Sequence, residues 1–522
     1  MMIRTSWPLF AGLVLALPAM GRADDRLGGT WKVTLLVSKQ PTPWLVKLQS
    51  KDGKWTGKVV AHADDVGKTD LRDLSVGEQL VHFTLITPTQ RIRFEGKIPR
   101  EGAKAVLGSV VLRGEAIPAR LEATTLESLD TFDVSKDILA THTDGPEVLE
   151  AACDLLEQAT DKKAKPVDVR VWAKRALKSA EAYGPRLRQA TALRVAESLA
   201  DQDDFAATAL EYAEQAERLL SAQDRPNVRK RVLQVLAAAL EKVGKTDRAG
   251  EVAAAARKLA WVTPEKLAAR KSASDRVVLV ELFTGSECPP CVAADLAFDA
   301  LAESTGPKEV VFLEYHLHIP GFDPLGSPGS AARQEYYGVD GTPAIFFNGD
   351  KREPAGGAAY LAQYRYDYYC AAAVHLLDTP AQAKLQAKAV RKGDKIDMSA
   401  DVADVDKPDE RKLRLRLALV EDRVDYKGSN KIPSFRQVVR ALPGGARGFA
   451  VTKKADQFSA SVDLGDLRKQ LNRYLDESLE EDSTPPANKE RPLDLKRLHV
   501  VAFVQDDDTK DILQAVQVKV QE

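Results

Sequence analysis

Residues 277–300 read VVLVELFTGSECPPCVAADLAFDA, and the rest of the chain is organised around them. The run 277–283 is apolar except for Glu281 and rich in valine and leucine, which predicts a buried strand. Thr284, Gly285, Ser286 and Glu287 form a polar turn. Cys288, two prolines and Cys291 follow, and apolar residues then recur at helical spacing. Cys288 is thus placed at a helix N-terminus, where unpaired N–H groups and the helix dipole favour a thiolate. Pro290 suits a first turn because its missing N–H would have no partner there. Cys291 lies one turn further in, within reach of a disulfide formed on Cys288. The spacing fits a two-step exchange in which Cys288 captures a substrate sulfur and Cys291 releases it.

Downstream, EVVFLEYHLH (309–318) predicts a second buried strand and residues 330–337 a short helix. Val339-Asp340-Gly341-Thr342-Pro343 leads into a third strand, 344–347, which Asn348-Gly349 turns into a hairpin. Residues 358–377 close as an amphipathic helix. This β-α-β-α-β-β-α order, with CPPC after the first strand and Gly-Thr-Pro before the third, resembles the thioredoxin-like superfamily. The similarity is greater to exported members that read ELFT before the dithiol. It covers about a fifth of the chain, residues 271–378. The resemblance implies thiol–disulfide exchange with no organic cofactor. It also implies a cis peptide at Pro343, with Pro343 and Thr342 holding the substrate chain. The family's buried acid, which takes a proton from the second cysteine, has no match in register. Glu281 is nearest, one residue displaced, and is either that acceptor or a strand-edge charge. Glu287 stands where the family often has tryptophan, and an adjacent carboxylate opposes the dipole by raising the Cys288 pKa. The insert HLHIPGFDPLGSPG (316–329) is longer than a minimal loop of this family.

Other readings of the same residues stay open. The two cysteines form either a working dithiol or a permanent structural disulfide. His316 and His318, two apart on a strand, share a face and are either strand-end residues or partners of the cysteines at a copper or zinc site. The expectation is no metal. Tyr360, Tyr364, Tyr366, Tyr368 and Tyr369 are expected to pack against neighbouring segments rather than to bind a cofactor.

At 522 residues the chain is too long for one core. Its net charge of -1 gives no field to attract nucleic acid or anionic lipid. Arg4, the apolar run 8–20 and Gly21-Arg22-Ala23 read as a signal peptide, residues 1–23, cleaved after Ala23. That run is too short to span a bilayer, which takes about 20 residues. Export to the periplasm or beyond permits disulfides, yet the cysteines are only Cys153, Cys288, Cys291 and Cys370. Cys153 and Cys370 read as buried small hydrophobes, with a bridge between them as the alternative.

Residues 24–130 carry many short alternating runs between turn residues, which predicts an all-β barrel or sandwich, packed solid or holding a ligand. Gly29-Thr30-Trp31 and Gly53-Lys54-Trp55 resemble the openings of small lipocalin-like barrels. His62 and His82 read as strand-face histidines. Residues 131–270 are helical. Residues 233–256 resemble a tetratricopeptide helix pair turning at Gly244, either a partner-binding groove or a brace. Residues 379–522 predict an immunoglobulin-like β-sandwich, with Leu413, Leu415, Leu417 and Leu419 buried, the opposite face of that strand wet, and a helix at 467–479. The expected fold class is multidomain α+β: a β-barrel or sandwich, a helical-hairpin domain, a thioredoxin-like α/β domain and a β-sandwich. The expected partners are exported proteins carrying thiols or disulfides and an unknown redox partner, with no nucleic acid and no stable membrane span. A non-catalytic envelope binding or assembly protein is the alternative function.

Overall fold

The computed structural model describes residues 27–35, 43–63, 66–99, 104–112, 115–481 and 490–522. The expected signal peptide lies outside them. The chain divides into two compact units, one running to Leu219 with Ala238–Thr246, the other Leu220–Ala237 with Asp247–Glu522.

The first unit opens with strands β1–β8 (Gly29–Leu35, Pro43–Lys51, Lys54–His62, Asp70–Val76, Leu80–Ile86, Arg91–Lys97, Ala105–Leu112 and Glu115–Thr124). They form one antiparallel sheet in the order β3-β2-β1-β8-β7-β6-β5-β4, nearly closed because β3 and β4 at its ends pack together. Alternation drives the closure: in RIRFEGK of β6, Ile92, Phe94 and Gly96 point in while the charged residues point out. Trp31, Trp44, Phe83 and Phe94 fill the centre, and the two phenylalanines stack at 4.9 Å. The indole N–H groups of Trp31 and Trp44 donate to Leu27 O and Thr69 Oγ1. Gly108 pairs with Gly96, and a Cβ there would strike Glu95 O and Gly96 Cα. His82 is exposed on β5, and His62 Nδ1 lies 3.0 Å from Ala63 O.

Helices α1–α5 follow (Thr131–Thr141, Pro146–Glu157, Pro166–Glu181, Pro185–Leu199 and Ala206–Arg218). Proline opens α2, α3 and α4, where no N–H is needed. Cys153, buried on α2, is a free thiol, as is Cys370, so no bridge joins them. Two more helices, α6 (Pro226–Lys242) and α7 (Thr246–Arg257), flank Gly244, whose φ is 78°.

The second unit is built on a mixed sheet. Its first part comprises β9 (Val278–Thr284), α8 (Val292–Ser304), β10 (Val310–His316), α9 (Pro328–Tyr337), β11 (Ala344–Phe347), β12 (Asp350–Arg352) and α10 (Ala362–Leu377). Then come β13–β18 (Lys384–Lys392, Lys395–Ala403, Leu413–Asp425, Ser434–Ala441, Phe449–Ala450 and Asp456–Asp463), α11 (Leu464–Glu481), β19 (Leu498–Asp506) and β20 (Ile512–Lys519). The strand order is β12-β11-β9-β10-β16-β15-β19-β20, with β17 beside β15. β10 is parallel to both β9 and β16. The sheet therefore runs without a break across the boundary expected near residue 378, because β16 supplies the strand beside β10. β13, β14 and β18 form a second, antiparallel sheet. With α11 they cover the outer face of β15 and β19.

One expectation is corrected here. The face of β15 opposite its leucines is not wet: Ala418 and Val420 lie in a second core, and Arg416 is 3 % exposed. The sheet has layers on both sides, so Arg416 pairs with Asp507 at 2.6 Å and lies over the Tyr336 ring. Among the described residues no helix is long and apolar enough to cross a membrane.

Candidate functional site

Every residue of β9 is buried. The chain leaves it through Gly285, Ser286 and Glu287, and Pro289–Cys291 make one tight helical turn that continues into α8. Cys288 and Cys291 are joined by a disulfide, with their Cα atoms 5.4 Å apart. Cys288 is 1 % and Cys291 0 % exposed, although Pro289 and Pro290 between them are exposed.

Thr342 and Pro343 come to this pair from the far end of α9. Thr342 Oγ1 lies 3.3 Å from Cys288 Sγ and 3.2 Å from Ile319 O, and Thr342 O lies 3.7 Å from the same sulfur. The Thr342–Pro343 peptide is cis. A loop beyond β12 closes the other side: Gly357 N donates to Pro290 O and Ala293 N to Gly357 O. A Cβ on Gly356 would lie 2.9 Å from Pro290 O and 3.0 Å from Pro343, so glycine permits that approach.

Glu281 is not part of this grouping. Strand alternation sends Val278, Val280 and Leu282 toward α8, and Leu279, Glu281 and Phe283 to the opposite face. There Glu281 accepts from Arg333 Nε and Nη2 at 2.8 and 2.9 Å, and from the hydroxyls of Tyr315 and Tyr337 at 3.0 and 2.7 Å. A carboxylate held by four donors, two of them from a buried guanidinium, is a fixed ion pair, not a proton acceptor for Cys291.

The acid on the dithiol side is Asp295, one helical turn past Cys291 on α8 and 4 % exposed. Its Oδ1 accepts from Thr284 Oγ1 at 2.6 Å, and its Oδ2 has no partner among the described residues. Burial, reinforced by the charges of Asp323 and Asp299, pushes Asp295 up to about 8. Glu314, on β10, is pushed well above the usual carboxylate range, first by burial and then by Asp295. The sequence signal for this group was a stripe of acids at helical spacing, Asp295, Asp299 and Glu303, on an otherwise apolar helix.

β10 ends at His316, His318 lies just beyond the strand, and both histidines close on Asp323. His316 Nδ1 lies 2.9 Å from Asp323 Oδ2, and its ring meets Phe435 edge-on. Burial works against the Asp323 charge, but His316 holds its carboxyl below the usual value. His318 Nδ1 accepts from Asp323 N, and its ring stacks on Phe322. Among the described residues no group of three or more His, Cys, Asp or Glu side chains is placed to hold a metal ion. Tyr366 and Tyr369 pack into the core beneath α10.

No family model matches the chain, and no curated protein matches it. Among solved structures, it is similar to HBP35 of Porphyromonas gingivalis at 15 % identity, over 48 % of this chain and 77 % of that one, with a TM-score of 0.34. A likeness at that level carries no argument about fold or function.

Proposed function

We propose that this chain is an exported thiol–disulfide oxidoreductase, thioredoxin-like in its redox region, acting on other exported proteins. The observation that carries the reading is the meeting of Thr342 with Cys288 Sγ at 3.3 Å, which sets the Gly-Thr-Pro segment against a dithiol at a helix start. The order of elements from β9 to α10 also supports it. In the reducing direction the Cys288 thiolate attacks a substrate disulfide, and one substrate sulfur leaves as thiolate. The Cys291 thiol gives its proton to the fraction of Asp295 that is ionised, one helical turn away, and its sulfur attacks Cys288 Sγ. This closes the Cys288–Cys291 disulfide and frees the second substrate sulfur. Two electrons pass to the substrate, and the oxidising direction is the reverse. Thr342 and Pro343 hold the substrate chain beside Cys288.

The test compares native protein with Cys288→Ser in reducing insulin and in oxidising a reduced, unfolded protein. The native chain is expected to act in one of these assays and the variant in neither. Equal behaviour of the two would discard the proposal. The reduction potential then gives the direction: about −180 mV or above for an oxidant or isomerase, about −270 mV for a reductant.

A second reading is favoured by a different observation, the near-complete burial of both sulfurs. In that reading the disulfide is a fixed staple of an envelope binding or assembly protein. A disulfide that survives millimolar dithiothreitol in the folded chain would favour it.

A further inference from the structure

The surface is open up to the edge of the dithiol and closed over the sulfurs. Pro289, Pro290 and Gly341 are exposed, whereas Cys288 is 1 % exposed. Exchange needs an incoming sulfur in line with the S–S bond, so the surroundings of Cys288 must shift before any protein can react.

Two segments grip the turn that carries Cys288. One is the insert after β10: Ser286 N donates to Asp323 Oδ2, and Asp323 is 0 % exposed and also bound to His316 and Leu325 N. The other is a strap between β15 and β16, anchored by the buried side chains of Tyr426 and Ile432. Asn430 N donates to Ser286 O and Asn430 Nδ2 to Gly285 O, each at 3.2 Å, while Ser429 N donates to Glu287 Oε2 at 3.1 Å. Gly428 passes so near that a Cβ there would strike Ser286 O. Asp323 is locked in a buried network. Of the strap's bonds the one from Ser429 to Glu287 is exposed and those of Asn430 are buried, so the strap yields from its Ser429 end. Glu287, the residue that departs from the family pattern before Cys288, is one of its holding points.

We propose that residues 428–430 are a built-in cover that keeps the dithiol out of reach, and that exchange proceeds only when this strap lets go of the Gly285–Glu287 turn. The proposal rests on the redox reading of the site, but its test does not depend on any substrate.

The measurement is the rate at which dithiothreitol reduces the disulfide in the folded, full-length chain, across a wide range of reductant concentration. A covered disulfide gives a rate that levels off at the opening rate. An uncovered one gives a rate that climbs in proportion to reductant and matches that of the urea-unfolded chain, which would overturn the proposal without any variant. Asn430→Ala, which removes the bond to Gly285 O, and Gly428→Ala, which crowds Ser286 O, are each expected to raise the plateau about tenfold or more. If both variants fold, as circular dichroism reports, and keep the native plateau, the strap is not the cover. A raised plateau with no activity on insulin or on a reduced protein would keep the cover and discard the oxidoreductase.

Discussion

Among the described residues of the β1–β8 region the buried polar side chains are threonines: Thr34, Thr69, Thr84 and Thr87. Around β9, β10 and β16 the core instead encloses Glu281, Asp295, Glu314, His316, Arg333 and Arg440. The first core is ordered by apolar volume and a few neutral hydrogen bonds, such as those of the Trp31 and Trp44 indoles. The second buries ionisable groups, which costs stability unless each is paired or neutralised. Glu281 is paired with Arg333, Arg440 with Glu421, and Asp295 is held neutral by its surroundings. Of these groups Asp295 lies on the face of β9 that carries α8, bonded to Thr284, while Glu281 and Arg333 lie on the opposite face.

Substitutions can break or sharpen that contrast. The largest losses are expected from one cut in each core. Phe94→Ala removes a fully buried ring from the first and should cost roughly 3–5 kcal/mol in urea unfolding. Arg333→Met leaves Glu281 buried without its cation and should cost about 3–5 kcal/mol. Adding Glu281→Gln to Arg333→Met should recover much of the second loss, and a double variant no better than the single would show that charge is not what the pair supplies. Gly108→Ala presses a methyl onto backbone of the neighbouring strand and should cost about 1–3 kcal/mol. An unchanged unfolding midpoint would mean the two strands sit further apart than described.

The effect spread most thinly is a drift with pH, small over any one unit. Asp295 holds its proton up to about pH 8 in the folded chain, against an ordinary value of 3.8. Its protonated form is the one the fold favours, so that stabilisation is complete below about pH 4 and lost as pH rises through about 8. Asp295→Asn removes the dependence. The variant should gain on the native chain across that window, by at most about 1.4 kcal/mol for each pH unit. A constant difference between the two from pH 4 to 8 would place the Asp295 titration elsewhere.

The same contrast explains what the amino acids disclosed. The β1–β8 strands pair mostly with sequence neighbours, and their inward residues are apolar, so alternation alone outlined them. The dithiol, Thr342 and Pro343 were legible because their spacing is chemical. β16 was missed, since FRQVVRA carries two arginines where a central strand is expected to be apolar. Arg440 is neutralised by Glu421, a partner on β15 that no local window contains, and Arg436 pairs with Asp299 and Glu303 on α8. Whether Glu281 serves Cys291 stayed open in the sequence because register, not composition, decides which side of a strand meets α8. Asp295 escaped notice because its helix is otherwise apolar and its partner Thr284 lies on β9.

β16 is the inner neighbour of β10, yet it is synthesised long after it. While the chain emerges from its N-terminus during synthesis, β10 has an unsatisfied backbone edge until Ser434–Ala441 arrives. During that interval both thiols are free to meet oxidants or passing proteins, and a nascent chain stalled before residue 434 would be the species most prone to wrong cross-links.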